Sequence, residues 1–361
     1  MGDELQSIES FLQEEIALVA NKIDRDAEAL KWAIDKMGDR SWLALKVAPE
    51  LGGSGLSEAD YRRLQISMAR VSGALTFLQT QHQSAVSKLA KSDNKSLRQF
   101  LPDAATGKVK IGVGFSHLRR MGTPVMQARQ TSAGYILSGK VPWITGYNFF
   151  DFFILGATLP DGRELYGLLP FKDSLQESGG KLSFSQPMQL LAVTATNTVS
   201  AEVENWVLES DRIVTINPPG AIHASSRQNI LNHGFFALGC AYAALDILEA
   251  IARKKQLDFL QESWLDLQSE VKENEAKAIA FIGDPNVSYE QKLQLRARTI
   301  ELAQRCSWGA VIASSGAANY LHSDAGRVYR EALLFSVSGQ TTDVMQASLN
   351  LLVRDCSTKN S

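Results

Sequence analysis

The hydrophobic repeat of this 361-residue chain changes twice, and that double switch restricts the fold more tightly than any single motif. Leu5, Ile8, Phe11, Leu12 and Ile16 recur three to four residues apart with acids on the opposite face, the spacing of an amphipathic helix. Ala27, Leu30, Ile34 and Met37 resume it after a break near Lys22–Asp24. Pro49 and the cluster Gly52-Gly53-Ser54-Gly55 interrupt as a loop. Ser57, followed three residues later by Asp60, reads as a helix start: the hydroxyl accepts from first-turn amides and the acid sits at the positive end. Helices are expected over about 57–72, 74–91 and 94–101, with Pro102 and Gly107 closing a helical domain at residues 1–110.

Residues 111–214 switch to strand signals. Tyr135–Gly139 follows the turn Thr131-Ser132-Ala133-Gly134, and Phe150–Leu155 is apolar except for Asp151. Pro160-Asp161-Gly162 predicts a tight turn before Leu165–Pro170, and Val199–Val203 alternates apolar with polar residues. Short strands with turns between them predict an antiparallel barrel or sandwich. Past Pro218-Pro219-Gly220 the helical period returns, with Leu238, Ala241, Leu245, Leu248 and Ala252 on one stripe. The expected order over 215–361 is a long helical hairpin broken near Gly283 and Pro285, then helices over about 289–315 and 342–353, forming a four-helix bundle. Ser357–Ser361 is expected to fray. The fold class is therefore α+β and multidomain: a helical domain, a middle β domain and a C-terminal bundle.

Composition narrows the function. A formal charge of −2, from 37 basic and 39 acidic residues, argues against a nucleic-acid partner. No apolar run reaches the roughly 18 residues of a membrane span, and the acidic start Met1-Gly2-Asp3-Glu4 is unlike a secretory signal. Cys240, Cys306 and Cys356 are odd in number and far apart, which fits a reducing cytoplasm rather than a disulfide framework. There is no phosphate-binding GxxxxGK[ST], HExxH or GxSxG motif, and His82, His117, His223, His233 and His322 are too dispersed for a local metal site. Arg119-Arg120 reads either as a clamp for a phosphate or carboxylate or as a solvated surface pair.

Several strings carry a resemblance. Ala48-Pro49-Glu50-Leu51-Gly52-Gly53-Ser54-Gly55-Leu56-Ser57, Thr80-Gln81-His82, the run Gly134–Gly146 with Trp143-Ile144-Thr145 near its end, and Tyr329-Arg330-Glu331-Ala332 resemble the motifs of the acyl-CoA dehydrogenase superfamily, in order and along nearly the whole chain. The resemblance implies FAD lying between the β domain and the bundle. Trp143 would pack against the tricyclic ring, with Thr145 offering a hydroxyl to it. Phe115 and Ser116 would lie at the pyrimidine side, Gly122-Thr123 near the diphosphate, and Thr341 in the family's "Y-E-G-T" stretch. It also implies a homodimer or homotetramer, with 235–260 apolar enough to meet a second copy.

The departures matter as much. The family's carboxylate base falls on Gly339, and its alternative location on the first bundle helix falls on Asn229; neither residue takes a proton. At the adenine end, Arg253-Lys254-Lys255 lacks the family's Phe-Gly, and Ile312 and Ser315-Gly316 replace a glutamine and a glycine pair. FAD is thus expected to bind weakly, or reduced flavin transiently. The leading expectation is a flavin-dependent oxidoreductase lacking the usual glutamate, resembling the monooxygenase branch, with a small-molecule substrate and a flavin reductase as partner. The aromatic run Tyr147–Phe153 would line or buttress a dry pocket, and His117, Asn229 or His233 would orient substrate or oxygen. The alternatives are an acyl-CoA dehydrogenase whose base has moved to Asp343, Glu331 or Asp324, and a non-catalytic oligomeric relative.

Overall fold

A computed structural model describes residues 2–132 and 134–353. The frayed-tail expectation for Ser357–Ser361, Cys356, and Ala133 of the predicted turn lie outside the described residues. The N-terminal helices are α1 (Gly2–Phe11), continued by a π turn and a 3-10 turn, α2 (Ala20–Ile23), α3 (Ala27–Asp39), α4 (Glu58–Val71), α5 (Gly73–Ala90), α6 (Lys95–Arg98) and α7 (Leu101–Ala105). Ser57 caps α4 by accepting from the Asp60 amide, and Ser72 caps α5 by accepting from Leu75, so two serines set the junctions of this layer.

The nine strands among the described residues are β1 (Ile111–Gly114), β2 (Met126–Thr131), β3 (Gly134–Ile144), β4 (Phe152–Thr158), β5 (Glu164–Pro170), β6 (Ser174–Leu175), β7 (Lys181–Phe184), β8 (Val199–Glu209) and β9 (Ile213–Asn217). They form one sheet in the order β6-β7-β8-β3-β2-β4-β5-β9, with β1 paired to β4. Two expectations are corrected here. The sheet does not close into a barrel, and it is mixed, since β1 and β2 both run parallel to β4. Closure needs two edges offering matching rows of donors and acceptors. One edge strand, β6, is two residues long, and the helical layer engages the other: the Ser92 hydroxyl donates to Val214 O and Asn94 Nδ2 to Ile213 O.

The C-terminal region holds α8 (Ala221–Gln228), α9 (Gly234–Lys255), α10 (Asp258–Ala280), α11 (Tyr289–Ser314), α12 (Asp324–Val337) and α13 (Thr342–Val353). Among the described residues α9 is the one helix long and apolar enough to cross a membrane, yet it is the bundle's core element, packed against α4, α10, α11 and α12. The apolar stretch expected to meet a second copy is used inside the chain: Phe235, Phe236 and Leu238 are buried. A Cβ added at Gly239 would stand 2.6 Å from the Ala69 Cβ, so glycine is what lets α9 approach α4.

Asp24 joins the three regions. Its carboxylate accepts from Val193 N at 2.9 Å and from Arg330 at 2.9 Å, tying α2 to the loop before β8 and to α12. One apolar cluster runs from Ile8 and Leu12 through Leu75 to Val141 and Phe153, so the first helices and the sheet share a core. Tyr147, Phe153, Phe171 and Phe184 form a ring cluster within and beside it.

Candidate active site

The three regions meet at a cleft of about 350 Å³. Its sheet side is built by the end of β3 and the 3-10 turn after β1. Trp143 presents an indole that is 48% exposed, and Thr145, buried, holds its hydroxyl 3.0 Å from that of Thr198. Phe115 and Ser116 line the same wall. From the helical layer come Thr80, Gln81, Ser84 and Ser87 of α5, on one face because they recur at helical spacing. Arg62 of α4 also enters; its guanidinium donates to Glu58 and Gln65 and lies over the Phe235 ring. The bundle closes the cleft with His233, Phe236 and Gly339.

Phe115, Ser116, Trp143 and Thr145 therefore stand together, and Thr80-Gln81 join them. Thr123 and Thr341 stand elsewhere: Thr123 lies in an exposed bend, and the Thr341 hydroxyl accepts from Val344 N at the start of α13. His82 points away from the cleft, donating from Nε2 to Ala104 O and accepting at Nδ1 from Ile111 N, both at 3.0 Å. Burial pushes its pKa down to about 4. His117 bonds Gly156 O and is also pushed to about 4 by burial; it does not line the cleft. The aromatic run reads from sequence either as lining or buttressing a pocket or as a buried strand, and it packs in the core. Phe149, Phe150 and Phe153 are buried in the sheet's core, and no member of Tyr147–Phe153 lines the cleft.

The decisive arrangement surrounds Gly339. This residue has φ +63°, and a Cβ added to it would lie 2.7 Å from His233 Nε2. The imidazole thus stands where a side chain at 339 would begin. His233 Nδ1 is shut off from solvent and has no protein partner. Burial, then the charges of Arg296, Arg119 and Arg62, holds its pKa well below 6.5, so the ring is neutral at pH 7. Behind it Arg296, 1% exposed, donates to Phe335 O and Ser338 O and fixes the turn carrying Gly339.

Among the described residues, no aspartate or glutamate lines this cleft or the one adjoining it. The relocated-base candidates are all occupied elsewhere. Glu331 is fully buried against Arg327 at 2.9 Å, Asp343 accepts from Tyr289 and Arg227, and Asp324 accepts from Asn21. Asn229, at the end of α8, lines the adjoining cleft and donates to Ser225 O. The sequence supplied His233 only as one polar candidate of three. Its contact with Gly339 joins positions 106 residues apart, which no local spacing reveals.

A helical layer, a bent open sheet and a long-helix bundle meeting at a cleft floored by a strand-end indole and hydroxyl define the acyl-CoA dehydrogenase class of fold. The family model for the acyl-CoA dehydrogenase N-terminal domain matches residues 4–108. A 3-(aryl)acrylate reductase of Clostridium sporogenes is 23% identical, covering 93% of each chain. The caffeyl-CoA reductase–Etf complex subunit CarC of Acetobacterium woodii is 20% identical over 93% of each. A glutaryl-CoA dehydrogenase of Mycobacterium smegmatis, solved in complex with FADH2, superimposes with a TM-score of 0.81 at 16% identity, covering 97% of this chain and 94% of that one. Residues 4–108 thus match that family's N-terminal domain, the whole chain is similar at low identity to relatives of that kind, and its fold is that of the acyl-CoA dehydrogenases.

Proposed function

We propose that this protein is a flavin-dependent oxidoreductase that seats the ring of FAD against Trp143 and Thr145 and handles the substrate's proton with His233 instead of a carboxylate. The observation that carries the reading is the neutral imidazole over Gly339, in a cleft with no acid among the described residues on its walls. When bound, FAD supplies two-electron transfer to or from carbon. The chain supplies the rest. The exposed indole offers a flat apolar face, and the Thr145 hydroxyl, steadied by Thr198, offers a polar contact at its edge. His233 accepts a proton at whichever ring nitrogen lacks one, and Arg296 holds the turn beneath it. Phe236 covers one wall with hydrocarbon and keeps water off it.

The adenine end supports weak or transient binding: Ile312 is 59% exposed where the family would place a glutamine. The relative named as part of an Etf complex supports an electron-transfer protein as redox partner, alongside a flavin reductase. Trp308, Ile312, Leu333 and Val337 leave apolar surface on α11 and α12, which supports self-association as a homodimer or homotetramer. The oxygen-activating reading draws no support from the aromatic run, which packs in the core.

Added FAD should raise the melting temperature of the purified protein and acquire a bound-flavin visible spectrum. Trp143→Ala should weaken that binding about tenfold or more. With flavin bound, His233→Gln should lower kcat by roughly 10²–10⁴ while leaving flavin affinity in place. A colourless protein with no thermal response to oxidised or reduced flavin would instead mark a non-catalytic relative.

A further inference from the structure

Beyond Gly339 and His233 the cleft continues into a second space of about 570 Å³, sharing Ser84, Ser87 and Arg119 with the first. Its chemistry is unlike that of a tunnel for a hydrocarbon chain. Of fourteen lining residues only Ile230 carries an aliphatic hydrocarbon side chain; the rest are cations, hydroxyls, amides, His233 and a glycine. Three cations line it: Lys88 in the last turn of α5, Lys91 just after that helix, and Arg119 from the turn after β1. None makes an ion pair among the described residues. Arg119 donates to the Ser226 hydroxyl at 2.9 Å, and the Lys88 ammonium lies 3.9 Å from the centre of the Tyr166 ring.

The nearest buried acid, Glu164, is already engaged, accepting from Ile222 N at 3.0 and 3.1 Å and from the Tyr166 hydroxyl at 3.0 Å. Lys88 and Arg119 are partly buried and their pKa values are lowered by that burial. Glu164 is the acid whose charge acts on both Lys88 and Arg119; the three cations outnumber it, and a wall with that positive excess draws anions into the cleft.

We propose that this second cleft binds a carboxylate carried by the substrate, held between Arg119 and Lys88 with the exposed Lys91 beside them. It thereby selects a polar organic anion over an uncharged acyl chain. The assignment rests on the reading of the Trp143 cleft as the redox site, because it places the carboxylate across His233 from Trp143. A planar guanidinium suits a carboxylate's paired oxygens, and the ammonium groups add charge without fixing geometry. Bound there, the anion also opposes the arginine field on His233 and makes that imidazole the stronger base.

Isothermal titration of the purified protein, with and without FAD, tests this using 3-phenylacrylate, its methyl ester, butyryl-CoA and inorganic phosphate at fixed ionic strength. The free acid should bind at least 30-fold more tightly than its ester. Lys88→Met and Lys91→Met should each weaken the acid about tenfold and leave the ester unchanged. Lys91 is exposed, so its variant folds even if Lys88→Met does not. Equal binding of acid and ester, or an acid affinity indifferent to both lysines, would overturn the assignment. So would phosphate or butyryl-CoA binding as tightly as the acid with the same dependence on the lysines, since either would make this a phosphate site. A protein that binds the acid but no flavin would remove the redox reading and keep an anion cleft; one that binds flavin but treats acid and ester alike would do the reverse.

Discussion

Two arginines are buried at opposite ends of the bundle, and they are kept there by opposite means. Arg327 on α12 has a carboxyl partner: Glu331, 0% exposed, meets it at 2.9 Å and also accepts from Gly73 N at the start of α5. Arg296 on α11 has none. It is 1% exposed, meets only the carbonyls of Phe335 and Ser338, and leaves Nη1 without a partner, and burial pushes its pKa down to about 9. The first arrangement neutralises itself and works as a joint between bundle and helical layer. The second leaves positive charge standing behind His233, in a cleft where Arg62 and Arg119 add to it. Uncompensated charge at one end and a closed pair at the other separate a site that receives something from one that holds the fold.

The largest effect should come from opening the closed pair. Glu331→Ala leaves Arg327 buried with no counter-charge, and urea denaturation should report a loss of about 3–5 kcal/mol. A loss below about 1 kcal/mol would show that the pair is not the joint described. Acid should act nearly as strongly on the histidines. His82 and His117 titrate at about 4 when folded and near 6.5 when unfolded. The unfolded chain therefore binds more protons below pH 6.5, so stability is complete above that value and falls as pH drops toward 4. Each histidine should account for about 3 kcal/mol by pH 4. His82→Gln should flatten the acid limb of the stability profile relative to its own value at pH 7; an unchanged limb would place the lability elsewhere.

The three-part order was legible because hydrophobic period is local: the predicted start of α4 and the span of α13 needed only neighbouring residues. Motif resemblance likewise placed Phe115, Ser116, Trp143 and Thr145, all on or beside strand ends, around one cleft. What escaped was long-range. A closed barrel was expected because turn-separated strands look alike whether or not their ends meet, and the engagement of β9 by Ser92 and Asn94 depends on contacts more than 100 residues apart. The aromatic run 147–153 reads the same whether it faces a pocket or a core. The contact of His233 with Gly339 is written in two residues that meet only after α9 and α12 pack.

Replacing the unpaired arginine sharpens the contrast. Arg296→Met removes a buried charge together with two carbonyl contacts, so its cost should stay near 2 kcal/mol or less, below that of Glu331→Ala. It should also let His233 titrate closer to 6.5, because one of the three opposing charges is gone; histidine proton resonances followed across pH read this directly. A loss as large as that of Glu331→Ala would erase the distinction between the two ends.

The smallest effect is the most specific to the site. At φ +63° an alanine at 339 incurs about 1–2 kcal/mol of backbone strain, and its methyl group must also displace the His233 ring. These two costs separate in a double-mutant cycle. Gly339→Ala in a His233→Ala background should keep the backbone cost and lose the steric one, giving a coupling of roughly 1 kcal/mol. Full additivity would mean that the imidazole does not occupy the space a side chain at 339 needs. By the same sterics, a Gly339→Glu side chain can reach the cleft only after the His233 ring beside it is removed or displaced.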